Sequence, residues 1–305
     1  MSTATYEPIK VADPDTPEWE AARMTGIGAS ESADALELSQ YGGRYKLFHR
    51  KIGTLQEDFE NDDMWYGKEV EYLTAKYWER KNNRKILQHP CPMYRHPDYP
   101  FILATPDAKL SPKEGLELKS MHWRLAKEMG EEGTDFIPDS YVIQGQQQMF
   151  VMGWEVVNFA ILVDRRLYQY KVHRNETLIE GLVAGLSEMW ERIQNFDEPE
   201  PNWENPSVAD TVKRLYRDVE KDSVIELSKE ACKAWNRYEL LGDDEKQIQE
   251  ERKALKAFVL KELGNRSAGI LAGGKKMVRR KEIQGCSYTV ERKPRIDARA
   301  VKVPE

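Results

Sequence analysis

The hydrophobic period of this chain changes at Lys85, and that change restricts the fold more than any other feature. Before it, Val70, Leu73, Tyr77 and Trp78 recur at helical spacing and predict a helix over 64–82 with one apolar face. After it, residues 85–94, 101–103 and 115–120 read as strands. The last is the clearest, because Gly-Leu-Glu-Leu-Lys-Ser alternates. Leu116 and Leu118 then face one side, and Glu117 and Lys119 the other. A helix over 139–152, a buried strand over 156–163, its hairpin partner over 167–173 and a closing helix over 175–195 follow. Helical and extended segments interleaved in this way predict an α/β fold: a mixed central sheet with helices on both sides.

Upstream, the first fifteen residues read as a loose polar leader. Thr16 as N-cap and Pro17 at the first helical position start a helix that runs through Trp19 and Arg23 to Gly26. A second helix holds Ala33, Leu36 and Leu38 until Gly42-Gly43 breaks it, and a third covers about 44–51. Residues 56–63 read as an acidic loop. Downstream, the Pro-rich stretch 197–206 divides the chain into 1–200 and 201–305. Beyond it, helices over 224–241 and 243–263, joined at Gly242-Asp243, predict a helical hairpin. Segments 270–280 and 285–293 predict a basic β-hairpin.

Composition excludes several classes. With 40% hydrophobic residues and eight Trp, the chain of 305 can bury a core, so disorder is a poor reading. No apolar run approaches a membrane span, and Met1 opens no signal peptide. Cys91, Cys232 and Cys286 form neither a disulfide framework nor a zinc pair, so a reducing, intracellular setting is expected. A net charge of −6 excludes a uniformly basic nucleic-acid coat. Residues 211–305 nevertheless hold 23 Lys+Arg against 16 Asp+Glu, leaving 23 against 36 for 1–210. A basic tail on an acidic body suits either an anionic contact or an ordinary solvated surface. The five histidines show no HExxH spacing, and Walker A and GxSxG motifs are missing.

The chemistry concentrates at Asp107, Glu117 and Lys119. If the strands around them pair as a hairpin, two carboxylates and an ammonium converge. Two such carboxylates repel unless a cation separates them, and oxygen donors favour a hard ion, Mg2+ or Mn2+. Phosphodiester hydrolysis needs an ion of that kind to neutralise developing charge and to lower the pKa of water. A neighbouring lysine can stabilise charge in the transition state.

Pro106-Asp107 followed by Glu117-Leu118-Lys119 resembles the PD-(D/E)xK nuclease signature. Three further stretches are similar, in order, to the YqaJ-type viral recombinase family, which includes phage lambda exonuclease: Trp19 to Glu31, Tyr66 to Glu71, and Tyr141 to Gln146. The resemblance covers about 16–165 and implies a PD-(D/E)xK core. It implies Asp107, Glu117 and the Leu118 carbonyl as metal ligands, with Lys119 positioning the attacking water. It implies Glu71 as a further acid, Gln144 as an orienting group, Tyr141 as a weaker carry-over, and Arg23 and Ser30 as holders of a DNA phosphate. Arg23, Lys46, Arg50, Lys119, Arg124 and Lys127 are candidate groove residues. The activity implied is 5′ to 3′ digestion of double-stranded DNA ends, leaving 3′ single-stranded overhangs for recombination. The resemblance also implies a ring-like homo-oligomer, a single-strand annealing partner, and a phage or prophage origin in a bacterial cytoplasm. An endonuclease on the same core and a non-catalytic DNA-binding or assembly module are the alternatives.

Overall fold

A computed structural model describes residues 6–55, 62–218, 220–221, 223–271 and 277–279. By contact the chain divides into two units, Met1–Arg217 and Asp218–Glu305. The first begins with β1 (Ile9–Ala12), α1 (Pro17–Arg23) and β2 (Ile27–Gly28). A 3-10 turn (Ala29–Glu31), α2 (Ser32–Ala35), α3 (Arg44–Lys51) and the long α4 (Asp62–Asn82) follow. Then come β3 (Met93–Arg95), β4 (Ile102–Ala104), β5 (Ala108–Ser111) and β6 (Glu114–Met121). A 3-10 turn (Leu125–Glu128) leads to α5 (Asp139–Met152), β7 (Val156–Val163), β8 (Arg166–His173), α6 (Glu176–Asn195) and α7 (Pro206–Leu215).

The strands form two four-stranded mixed sheets, ordered β1-β3-β4-β2 and β5-β6-β7-β8. In the second, β6 and β7 run parallel from Glu114↔Val156 to Met121↔Val163, while β5 and β8 are antiparallel edges. The central β7, Val-Val-Asn-Phe-Ala-Ile-Leu-Val, is apolar almost throughout because helices cover both of its faces. On one face Val157, Phe159 and Ile161 join the main core with Met149 of α5 and Leu182 and Leu186 of α6. On the other, Ala160 and Leu162 pack with Leu116, Leu118, and Ala75 and Trp78 of α4. Glu117 and Lys119, alternating with those leucines, are thereby turned toward α5.

Several expectations are corrected. The leader contains β1, paired with β3 across Ile9↔Arg95. The expected strand over 85–94 shrinks to β3 and a bridge between Gln88 and Lys109, because Pro90 and Pro92 supply no N–H to a ladder. Among the described side chains of α4 the buried ones are Thr74, Ala75 and Trp78, while Leu73 is 58% exposed, so periodicity placed the inner face about a quarter turn off. The Pro-rich stretch is not the division between units. Asn205 caps α7 at Ser207 N and donates to the carbonyls of Ser39 (2.9 Å) and Gly42 (2.7 Å), which ties α7 into the first unit.

In the second unit the expected helical hairpin is one helix, α8 (Lys229–Leu263), capped by Ser228 accepting from Ala231 N. Gly242 lies within it. An interior glycine costs about 1 kcal/mol relative to alanine, which a helix of this length absorbs. Asp243–Lys246 and Glu250–Lys253 ion pairs, at 3.0 and 2.6 Å, continue past it. A short antiparallel pair follows, β9 (Ala268–Ile270) with β10 (Met277–Arg279). The expected strand over 285–293 lies outside the described residues, as does most of the acidic loop expected over 56–63. Among the described residues no helix is long and apolar enough to cross a membrane.

Candidate active site

The hairpin that gathers the acidic residues is β5 with β6. Asp107 does not end the strand 101–103. It stands directly before β5, whose Ala108 pairs with Leu116 and Ser111 with Glu114 of β6. The tight turn at residues 112–113 folds Asp107 back beside Leu118. Its Oδ2 accepts a 2.6 Å hydrogen bond from Leu118 N. Leu118 lies beyond the last paired residue of β5, so its peptide edge faces Asp107 rather than another strand. The N–H and C=O of one strand residue share an edge, so the Leu118 carbonyl points to the same side.

Glu117 is fully buried, 1% exposed, and its carboxylate is held by three side-chain donors. Lys119 Nζ reaches its Oε1 at 2.7 Å, Gln144 Nε2 donates to the same oxygen, and Gln148 Nε2 donates to Oε2 at 2.6 Å. Gln144 and Gln148 are four apart on α5 and so share a face. Sequence reasoning singled out Gln144 and missed Gln148, although the i, i+4 spacing was the available signal. Between them Gln147 Nε2 donates to the carbonyls of Ile27 in β2 and Leu103 in β4, both at 2.8 Å. One helix thus holds the acid on one sheet and grips the other sheet.

Burial and then the Glu117 charge push the Asp107 carboxyl well above the ordinary carboxylate range, against the pull of Lys119. For Lys119 burial acts against the charge, but Glu117 and Asp107 outweigh it and raise the ammonium, which stays protonated at neutral pH. The Nζ lies 5.6 Å from the centroid of the Tyr141 ring. Glu71 of α4 stands beside this group rather than in its lining. Its Oε1 is 3.8 Å from His89 Nδ1, and that nitrogen is 2.9 Å from the Asp107 carbonyl. Burial raises its carboxyl, as does Glu117, while His89 opposes. His89 was not singled out from sequence. Glu69, two residues before Glu71 on α4, is exposed.

A cleft of about 240 Å3 joins these residues to the N-terminal segment: Asp107, Glu117, Lys119 and Gln144 on one wall, Arg23, Gly28 and Ser30 on the other. Arg23 lies over the Trp19 ring at 4.9 Å, and Trp19 Nε1 donates to Thr105 Oγ1 at 3.3 Å. Beneath this wall lies Glu31, 3% exposed, which sequence reasoning gave no role. It accepts from Gly28 N at 2.8 Å and pairs with Lys51 (2.7 Å), Arg50 (2.7 Å) and Arg23 (3.5 Å). Burial alone would raise its carboxyl, but the three cations together hold it below the ordinary value. Of the expected groove residues, Arg23 and Lys119 line the cleft and Arg50 is committed to Glu31. Lys46 Nζ donates to the Tyr41 carbonyl, and Arg124 and Lys127 flank the Trp123 ring at 5.5 and 5.1 Å.

Among the described residues no group of three or more His, Cys, Asp and Glu side chains is gathered as a metal cluster. The acidic donors that line the cleft are the Asp107 and Glu117 carboxylates, with the Leu118 carbonyl turned to the Asp107 side. These are hard oxygens, with like charges buried side by side, and the set fits a small divalent cation better than a soft one.

Two mixed sheets flanked by helices, with Asp107 before one strand and Glu117-x-Lys119 on the next, define a mixed α/β fold that is similar to that of solved exonucleases. Residues 18–155 match the model of the YqaJ-like viral recombinase domain. A relative, the protein YqaJ of Bacillus subtilis (strain 168), is 26% identical over 260 residues, covering 83% of this chain and 80% of its own. Among solved structures, the alkaline exonuclease LHK-Exo of Laribacter hongkongensis superposes with a TM-score of 0.51 at 21% identity. It covers 59% of this chain and 94% of that one. Its complex with dAMP gives 0.52 over the same shares. These likenesses show the fold.

Proposed function

We propose that this protein is a metal-dependent exodeoxyribonuclease that digests double-stranded DNA ends, 5′ to 3′, and leaves 3′ single-stranded overhangs for phage-type recombination. One observation carries the reading. The Asp107 and Glu117 carboxylates and the Lys119 ammonium line a single cleft whose other wall presents Arg23 and Ser30. The names of the relatives, a viral recombinase domain and an alkaline exonuclease, point the same way.

In this reading Asp107, Glu117 and the Leu118 carbonyl hold Mg2+ or Mn2+. When bound, such an ion activates water and neutralises charge on the phosphodiester. Gln144 and Gln148 keep the Glu117 carboxylate in one orientation, which a buried acid needs in order to present a fixed lone pair. Lys119, protonated, positions the attacking water and stabilises negative charge developing on the phosphoryl oxygens. Arg23 offers a guanidinium and Ser30 a hydroxyl to a phosphate of the strand, the terminal 5′-phosphate in an exonuclease. Glu71 acts from outside the lining, through His89. Contacts confined to phosphates suit an enzyme that reads no sequence.

We extend the proposal to a ring-like homo-oligomer, a single-strand annealing partner, and action in the cytoplasm of a bacterial host. The first unit, ending at Arg217, carries the nuclease and the second an accessory role.

The test is digestion of end-labelled linear duplexes, 5′-phosphorylated or not, with Mg2+ or with EDTA. Digestion is expected to need the metal, to start at the phosphorylated 5′ end, to spare closed circles, and to vanish in Asp107→Ala while circular dichroism stays unchanged. Cutting of closed circles would favour an endonuclease. An Asp107→Ala protein as active as wild type overturns the assignment.

A further inference from the structure

Beyond the cleft, β6 leads into a second and larger cavity of about 750 Å3, within the range of about 300–1,000 Å3 usual for ligand pockets. Along β6, Glu117 and Lys119 line the cleft, and Ser120 and Met121 line the cavity, with His122 just past the strand. Along α5, Gln144 lines the cleft, and Ser140 and Tyr141 the cavity. The Lys119–Tyr141 contact is the boundary between them. The cavity therefore opens at the carboxyl ends of the parallel strands β6 and β7, the usual place for ligands in such sheets.

Its chemistry differs from that of the cleft. No lysine or arginine is among the described residues that line it, and Asp139 and Asp164 stand in its wall. Such a wall repels phosphate. It suits neutral groups with N–H donors, which the two carboxylates and the hydroxyls of Ser39, Ser120 and Ser140 can accept. Three tyrosines supply flat apolar faces. Tyr141 is fixed by stacking on Phe159, with ring centroids 6.0 Å apart and planes at 8°. Tyr41 and Tyr66 are 69% and 52% exposed, large rings left in solvent beside a pocket. Flat rings and hydrogen-bond acceptors, in a described lining without lysine or arginine, suit an unstacked nucleobase.

We propose that this cavity binds unpaired nucleobases of a DNA strand whose phosphates lie in the Asp107–Glu117 cleft, with Tyr41 and Tyr66 as stacking platforms. The proposal rests on the nuclease reading and assigns the cavity a ligand class of its own.

The test uses the full chain in EDTA, so that binding is read without cleavage. A short oligothymidylate is titrated against an abasic oligomer of equal length by fluorescence anisotropy. Wild type is expected to prefer the thymidylate by about fivefold or more. Tyr41→Ala/Tyr66→Ala is expected to lose that preference while keeping its affinity for the abasic oligomer. Tyr41→Phe/Tyr66→Phe, which keeps both rings, is expected to restore it. Equal binding of the two oligomers by wild type, no binding of either, or a preference that survives the double alanine overturns the proposal. Digestion of a linear duplex with Mg2+ is run in parallel. Loss of digestion by wild type sinks the nuclease reading, whereas the base pocket stands or falls on the binding difference.

Discussion

At the scale of single residues, two buried side chains missed in the sequence support the site. Gln148 holds the Glu117 oxygen that neither Lys119 nor Gln144 reaches. Gln148→Ala should lower the rate on linear duplex by about 10–100-fold and raise the Mg2+ concentration needed, with the fold intact, as losses of such supporting groups do. Wild-type rate and metal dependence in this variant would contradict the role. Glu31 compensates three cations, among them Lys51, whose side chain is 1% exposed. Glu31→Gln should cost about 3–5 kcal/mol at neutral pH, because an uncompensated charge stays buried. The folded carboxyl lies below its unfolded value of about 4.3. Its stabilisation is therefore complete above that value and is lost as pH falls through the lowered folded one. Urea unfolding across a pH series should show the gap between wild type and variant closing in acid. A gap independent of pH would refute the account.

At the scale of elements, the pairing of β2 with β4 sets the width of the cleft. Ile27 N donates to the Phe101 carbonyl at 2.7 Å, and a Cβ on Gly26 would lie 2.2 Å from that same oxygen. Gly26→Ala should push the strands apart, cost about 1–3 kcal/mol, and shift Arg23 and Ser30 away from Asp107. Digestion should then fall more than the loss of stability explains. Gly242→Ala is the contrasting case. The glycine sits inside α8, where an added Cβ would meet no heavy atom within 4 Å, and the substitution should raise thermal stability by about 0.5–1 kcal/mol. A hairpin turn at Gly242 would give the opposite sign.

At the scale of the whole molecule, each of the buried core clusters falls within the first unit. A chain ending at Arg217 should therefore fold and melt in one cooperative transition by calorimetry, whereas one ending at residue 200 should lose stability. The shorter chain lacks α7, and with it the Asn205 bonds to Ser39 and Gly42 and the buried Val208. Equal melting of the two truncations would show that α7 adds nothing to the first unit.

The sequence by itself determined the elements whose pattern is local. Alternation assigned Glu117 and Lys119 to one face of β6, Thr16 and Pro17 started α1, and β7 was legible as a strand apolar on both faces. The Asp107…Glu117-Leu118-Lys119 set was also readable, because motif residues close in sequence keep their spacing in any fold. Tertiary structure alone decided what depends on distant partners. Periodicity could not say that β5 rather than the 101–103 strand pairs with β6, nor which face of α4 is buried, since each depends on another element's surface. Glu31 carried no local signal either. Its role arises where α1, the turn after β2 and α3 bring Arg23, Arg50 and Lys51 around one carboxylate, and a charge can be buried only where the fold supplies its counter-charges.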